Sequence, residues 1–165
     1  MDIVLSSRPA TSDEDAIQIG RLLVEMSAEV GRSPVDPNAA FQEIYRVIKD
    51  EAAWIVEDQN GLEVASLGVV QQPGHWYSPH TAFFSEQWFY VLPGLRADGA
   101  ARKMLEAELS ALCDLTGLPA FIKYFDPRKL ASDDRKLWVG DEKGYIPTGR
   151  LARINPFGVP QVNEG

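Results

Sequence analysis

The sequence is poor in cysteine and has no long apolar run. Its single cysteine, Cys113, excludes an internal disulfide and any zinc or iron–sulfur site built from several cysteines. No apolar stretch approaches the roughly 18 residues of a membrane-spanning helix, so no membrane association is expected. The first residues lack the basic and apolar regions of a secretory signal. We therefore expect a cytoplasmic protein.

Positive charge is also scarce. Sixteen Lys and Arg residues stand against 24 Asp and Glu, which gives a net charge of −8. Because nucleic-acid binding needs a positive face, no nucleic-acid partner is expected. The remaining composition, 45% hydrophobic and 24% charged, is typical of a globular protein. A length of 165 residues suits one domain, which we place at residues 1–154, with an irregular tail at residues 155–165.

Hydrophobic periodicity predicts a chain of alternating strands and helices. The first strand is expected around Ile3–Leu5, and the Asn60-Gly61 pair, which tolerates positive φ at both positions, predicts a hairpin turn. The expected first half is a strand in 1–9, a helix capped by Ser12, a helix capped by Asn38, and hairpin strands at 53–57 and 63–71. The second helix would place Phe41, Ile44, Tyr45 and Ile48 on its apolar face, and the second hairpin strand would place Ala65, Leu67 and Val69 on one face. The expected second half is a strand at 84–92, a helix at 99–116, a strand at 120–125, a short helix at 133–139 and last strands within 145–154. This order predicts a mixed sheet with helices on its faces.

The segment that follows the strand at 84–92 carries the chemistry. Pro93-Gly94 leads into Arg96–Ala101, and Gly99 lies where the next helix begins. A glycine and small residues at a helix start let backbone N–H groups approach an anion, and the helix dipole adds positive potential. Arg96, together with Arg102 and Lys103, adds side-chain charge. A surface arginine beside a helix-start glycine is the alternative interpretation of so short a pattern.

Val91-Leu92-Pro93 followed by Arg96-Ala97-Asp98-Gly99-Ala100-Ala101 resembles the acyl-CoA loop of the GNAT superfamily, the Gcn5-related N-acetyltransferases. In that family the loop reads Arg/Gln-x-x-Gly-x-Gly/Ala, between the fourth strand and the third helix. The preceding order of one strand, two helices and a hairpin is similar, and Lys143-Gly144-Tyr145 resembles the family's terminal Gly-Phe element. The resemblance implies an α/β fold with a mixed, mostly antiparallel, six- to seven-stranded sheet, helices on both faces, and a splay between strands 4 and 5.

The resemblance also implies an activity, namely direct transfer of an acetyl group from acetyl-CoA to a primary amine, without a metal. The acceptor would be a small molecule or a peptide, and the protein a monomer or homodimer. The pantetheine arm would lie in the splay, and the loop amides would hold the pyrophosphate. The coenzyme-binding residues implied are Tyr90, Val91, Arg96, Ala97, Asp98, Gly99, Ala100, Ala101 and Arg102.

One carboxylate and one phenol are candidates for the proton transfers that acetyl transfer to an amine requires. Glu86 is the expected general base, since its aromatic neighbours on the strand would disfavour its charged form; a solvated or ion-paired carboxylate is the alternative. The position at which the family often has a tyrosine as general acid is Gly140 here, so Tyr124 is the candidate for that role instead. Asp98 is a second departure, because an acid in the loop would repel pyrophosphate unless it faced solvent or paired with Arg102.

These departures keep a second hypothesis open, a non-catalytic or CoA-binding module that acts as an interaction or accessory protein. A third hypothesis uses the aromatic loop at residues 73–84 as an interface. His75 and His80 lie in that loop without a nearby carboxylate, which is a thin ligand set, so no metal is expected. Cys113 is expected to be a buried core thiol.

Overall fold

Residues 2–29, 36–74 and 82–122, and the backbone of residues 151–153, are described by a computed structural model. Its helices and strands are β1 (Ser6–Pro9), α1 (Asp13–Glu29), α2 (Pro37–Asp50), β2 (Ala52–Glu57), β3 (Glu63–Gln72), β4 (Phe83–Val91), α3 (Ala100–Thr116), β5 (Ala120–Ile122) and β6 (Leu151–Arg153), with a 3₁₀ turn at Pro93–Leu95. The chain divides into two compact units, residues 1–70 with 87–108, and residues 71–86 with 109–165. One domain over residues 1–154 stays a prediction. None of the described helices is long and apolar enough to cross a membrane.

The strands form a mixed sheet in the order β1-β2-β3-β4-β5-β6, which confirms the predicted class of sheet. β1 with β2 and β2 with β3 run antiparallel, whereas β4 with β5 and β5 with β6 run parallel. The parallel pairing of β4 and β5 requires a crossover, and α3 supplies it. That pairing joins Phe84 to Ala120 and Ser85 to Phe121. The expected helix at 133–139 lies outside the described residues.

The first strand begins later than predicted. β1 covers Ser6–Pro9, while Ile3 and Val4 are exposed. Ser6 pairs with Glu57, the last residue of β2. Residues before Ser6 therefore have no β2 partner to continue the ladder, and apolar character alone does not extend the strand.

The starts of α1 and α2 are set by side-chain caps. The Ser12 hydroxyl accepts from the Asp15 N–H at 3.1 Å, as predicted, and the Asp15 carboxylate accepts in return from Ser12 at 3.2 Å. The cap of α2 is Asp36, not Asn38 as predicted: its Oδ1 accepts from the N–H groups of Asn38 and Ala39. Pro37 explains the earlier start, because its fixed φ and missing N–H suit the first helical position.

The turn between β2 and β3 is a hairpin, but not the predicted two-residue turn. Only Gly61 has a positive φ, +79°, and Asn60 does not. Asp58 organises the loop: its Oδ1 accepts from the N–H groups of Asn60 and Leu62, and its backbone N–H donates to Leu62 C=O. Because Asp58 supplies these side-chain bonds, the chain turns over five residues with one left-handed position.

The core of the first unit lies where α1 and α2 pack together with the strands. Tyr45 was predicted to share this buried face but is 36% exposed, because the buried stripe of α2 runs through Ile44 and Val47. The main buried residues of the core of the first unit are Ala10, Ala16, Ile19, Ile44, Val47, Ala53, Ile55, Val70 and Trp88, with Leu23, Phe41 and Ile48 packed against them.

β3 and β4 pack closely around one indole ring. A Cβ built on Gly68 would lie 2.4 Å from the ring of Trp88, so only a glycine leaves room there. The Trp88 Nε1–H donates to the Ser66 hydroxyl at 2.9 Å, and that hydroxyl donates to the Trp54 C=O at 2.9 Å. All three residues are buried, so this chain satisfies polar groups that would otherwise be costly inside a core.

An ion-pair network joins the first strands to α1. The Arg8 guanidinium donates to both oxygens of Asp15, at 2.8 and 3.0 Å, and through Nε to Glu57 at 2.7 Å. This hydrogen bonding, above all from Arg8, holds the pKa of Asp15 well below its usual range despite its burial. Glu63, the first residue of β3, lies beside this network and is 6% exposed.

In the second unit the start of β4 meets β5. The rings of Phe83 and Phe121 pack edge to face, with centroids 5.2 Å apart. α3 ends at Gly117, whose φ of +75° lets its N–H reach the Cys113 C=O at 2.8 Å. Cys113 itself is fully buried, which confirms the prediction of a core thiol.

Candidate functional site

The loop between β4 and α3 is a succession of tight turns anchored at its beginning. The Leu92 N–H donates to the Val64 C=O of β3 at 2.9 Å, and the Leu95 N–H turns back to the Leu92 C=O at 2.9 Å. Gly99 closes the loop with a φ of +69°. A Cβ at Gly99 would meet no atom within 4 Å, so this glycine is needed for its backbone conformation rather than for space.

The beginning of α3 presents backbone donors. The first helical hydrogen bond runs from the Lys103 N–H to the Gly99 C=O, at 2.9 Å. The N–H groups of Ala100, Ala101 and Arg102 precede this bond in the first turn of the helix, and Ala101 among them is fully buried. Such donors, with the helix dipole behind them, are suited to hold an anion.

Asp98, the unexpected acid of the loop, is exposed and caps this helix. Its Oδ1 accepts from the Ala100 N–H at 3.0 Å. A carboxylate at a helix N-terminus is electrostatically favourable, so the local fold accounts for the acid without reference to a ligand. One of the three terminal donors is thereby used.

The guanidinium of Arg96 is held inside the protein. Its two terminal nitrogens donate to both oxygens of Glu29 at 2.6 and 2.8 Å, and its Nε donates to the Val91 C=O at 2.8 Å. The side chain is only 13% exposed. It also lies 5.2 Å from the centre of the Tyr90 ring, within reach of a cation–π interaction.

Tyr90 belongs to the same network. It is 4% exposed, and its hydroxyl donates to Glu29 Oε2 at 2.8 Å. Burial, together with this bond to a carboxylate, raises the pKa of Tyr90 above its usual range, so the phenol stays neutral.

The predicted cation cluster is therefore largely compensated by acids. Arg96 pairs with Glu29, and the Arg102 Nε donates to Glu106 Oε1 at 3.0 Å. Glu106 stands four residues after Arg102, a spacing that the sequence already displays. Glu29 stands 67 residues before Arg96, so no local pattern could have found it. The sequence predicted that these arginines add positive charge at the loop, whereas in the structure both are paired with glutamates.

The proposed proton-transfer groups are placed only in part. Glu86 lies in β4 and is half-buried. Tyr124, Gly140, Lys143-Gly144-Tyr145, His75 and His80 lie outside the described residues. In the part of the chain that the structure does describe, no group of three or more His, Cys, Asp or Glu side chains could hold a metal ion.

The chain has the fold of solved acetyltransferase structures, among them a GCN5-related N-acetyltransferase. No protein-family model matches the sequence, and no curated protein matches it either. The fold is thus recognised through solved structures.

Three of these solved structures illustrate the likeness. A GCN5-related N-acetyltransferase from Ralstonia eutropha JMP134 is 22% identical, with a TM-score of 0.57 over 72% of this chain and 82% of that one. A predicted acetyltransferase from Clostridium acetobutylicum, solved with acetyl-CoA, is 17% identical, with a TM-score of 0.58 over 72% of this chain and 79% of that one. The aminoglycoside N-acetyltransferase AAC(6')-Iy, in complex with CoA, is 14% identical, with a TM-score of 0.59 over 80% of this chain and 84% of that one.

Proposed function

We propose that the protein is an N-acetyltransferase that transfers an acetyl group from acetyl-CoA directly to a primary amine. The observation that carries this proposal is the β4–α3 loop, where Gly99 with positive φ immediately precedes the N-terminal end of α3. Two solved neighbours of the same fold contain acetyl-CoA or CoA.

The loop fits a pyrophosphate through its backbone. Backbone N–H groups at the N-terminal end of α3 would bind the phosphate oxygens, and Lys103, which is exposed, would add a charge. Arg96 would contribute by shaping the loop, because its guanidinium is bound to Glu29 and Val91. The proposed coenzyme-binding residues, which act by contact or by shaping the loop, remain Tyr90, Val91, Arg96, Ala97, Asp98, Gly99, Ala100, Ala101 and Arg102.

The reaction needs one group to accept the amine's proton and one to protonate the leaving thiolate. We assign these roles to Glu86 and Tyr124, respectively. When bound, acetyl-CoA supplies the activated thioester, so no covalent bond to the protein is needed. The acceptor would be a small-molecule or peptide amine, and the net charge of −8 favours one that is cationic. We further propose a cytoplasmic location and a monomeric or homodimeric state.

The test compares two glycines with the same backbone requirement. Gly99→Ala and Gly61→Ala each place a Cβ at a positive φ, with no atom within 4 Å, so they should lower stability by similar amounts. Only Gly99 lies in the proposed coenzyme loop. We expect calorimetry to show CoA binding to the wild type and to Gly61→Ala, and markedly weaker binding to Gly99→Ala.

Failure of the wild type to bind CoA or acetyl-CoA at high micromolar concentration would contradict the proposal. The catalytic assignment is tested separately, by thiol release over a panel of amines. Glu86→Gln should lower turnover while it leaves the CoA affinity unchanged.

A second function, a CoA-binding module without catalysis, is favoured by one observation. Asp98 uses the Ala100 N–H and brings a negative charge to the place where phosphate would bind. The wild type would then bind CoA weakly and release no thiol with any amine of the panel. Turnover that Glu86→Gln abolishes would exclude this alternative.

A further inference from the structure

The last residue of α1 is a glutamate where a helix alone would disfavour one. A negative charge at a helix C-terminus opposes the dipole, and the last turn of α1 has no basic residue to offset it. The partner of Glu29 comes instead from the loop that follows β4, where Arg96 meets both carboxylate oxygens. The loop thus supplies a positive partner for the charge of Glu29.

Both carboxylate oxygens of Glu29 accept hydrogen bonds from the β4–α3 region. Oε1 accepts from Arg96 at 2.6 Å, and Oε2 accepts from both Arg96 and the Tyr90 hydroxyl, each at 2.8 Å. The side chains of Glu29 and Arg96 are 23% and 13% exposed, and Tyr90 is buried. A bidentate arginine–carboxylate pair of this geometry fixes the plane of the guanidinium.

That plane determines how the loop closes on the strand. With the guanidinium fixed by Glu29, the Arg96 Nε points at the Val91 C=O, which it reaches at 2.8 Å. Val91 ends β4 and Arg96 follows the 3₁₀ turn, so this bond ties the two ends of the first half of the loop together. The Gly99 N–H then bonds back to the Arg96 C=O, so the placement of Arg96 is passed on to the second half.

We propose that Glu29 is a positioning residue for the coenzyme: through its bonds to Arg96 and Tyr90 it holds the β4–α3 loop in the shape that receives pyrophosphate. This inference rests on the proposed function. If Arg96 instead bound the coenzyme directly, Glu29 would compete with the coenzyme for Arg96. Removal of the Glu29 carboxylate would then strengthen CoA binding rather than weaken it.

The experiment compares Glu29→Gln with Glu43→Gln. Glu43 forms a similar bidentate pair with Arg46 at 2.7 and 3.0 Å, on α2 and outside the loop. We expect Glu29→Gln to weaken CoA binding about ten-fold at a temperature where the variant stays folded, because hydrogen bonds to charged groups are lost behind the loop. Glu43→Gln should bind CoA like the wild type.

Two further measurements separate positioning from general stability. Hydrogen exchange of the amides of residues 92–103 should quicken in Glu29→Gln without CoA, and not in Glu43→Gln. In the double variant with Arg96→Gln, CoA affinity should fall no further than in Arg96→Gln alone, because both changes break the same contact.

The outcomes distinguish this inference from the function on which it rests. A wild type that binds no CoA overturns both. A wild type that binds CoA, with Glu29→Gln binding equally or more tightly, overturns the positioning role alone. A lower melting temperature with unchanged affinity and unchanged loop exchange would overturn it as well, since that is what a purely structural ion pair would give.

Discussion

Replacing Glu63 by glutamine should stabilise the protein at neutral pH. Glu63 is 6% exposed, and its Oε2, which is fully buried, has no hydrogen-bond partner. Burial, and next to it the negative charge of Asp15, raise the pKa of Glu63 to about 8 from an ordinary value of 4.5. The folded protein therefore keeps this carboxyl neutral at pH 7, which avoids a second buried negative charge beside Asp15.

The direction of the effect follows from the two pKa values. Above pH 4.5 the unfolded chain releases the Glu63 proton, whereas the folded chain holds it until about pH 8. The folded state binds more protons in this interval, so stability falls as the pH rises through it. At about 1.4 kcal/mol per pH unit, the cost of keeping the proton reaches roughly 3 kcal/mol at pH 7.

Glutamine copies the shape of the neutral acid and needs no proton. We expect Glu63→Gln to be more stable than the wild type by up to roughly 3 kcal/mol at pH 7, and to be equal to it near pH 4.5. The assay is urea unfolding at several pH values between 4.5 and 8, followed by tryptophan fluorescence, since Trp54 and Trp88 are buried.

The matched control is Glu57→Gln, at the position paired with Glu63 across the hairpin. Glu57 accepts from Arg8 at 2.7 Å, so its replacement should lower stability, by about 1 kcal/mol. If Glu63→Gln were less stable than the wild type at pH 7, and by the same amount at every pH, then Glu63 would be ionised in the folded state and the reasoning would be refuted.

Three further substitutions test packing and capping by the same unfolding assay. Gly68→Ala should destabilise by about 3 kcal/mol, because its Cβ would lie 2.4 Å from the Trp88 ring; an unchanged midpoint would mean that the ring moves freely. Ser66→Ala should cost about 2 kcal/mol, since Trp88 Nε1–H and Trp54 C=O lose a buried partner. Asp36→Ala should cost about 1 kcal/mol through loss of the α2 cap, whereas Asp36→Ser should retain most of it.

Features set by neighbouring residues could be predicted from the sequence. The cap at Ser12 and the end of α3 at Thr116 depend on contacts within one or two helical turns. The strand, loop and helix around Gly99 were predictable for the same reason. The resemblance to GNAT enzymes rested on this local order, and the fold confirms it.

Features set by distant residues could not be predicted. Glu29 and Arg96 are 67 residues apart in the chain and are brought together only by the tertiary fold, which no periodicity records. β3 was predicted to alternate, with Ala65, Leu67 and Val69 on one buried face, yet all of residues 63–70 are buried because both faces of the strand are covered. The ends of a strand likewise depend on where the neighbouring strand ends. β1 begins at Ser6 because Ser6 pairs with Glu57, the last residue of β2.

The burial of Cys113 has a practical consequence for enzymology. It is the only thiol of the chain, and none of its surface is accessible in the folded protein. A colorimetric thiol reagent will therefore count released CoA without a background from the protein, as long as the chain stays folded. Over longer times the slow modification of Cys113 will report how often the second unit opens, a quantity that the tryptophans Trp54 and Trp88 of the first unit do not measure.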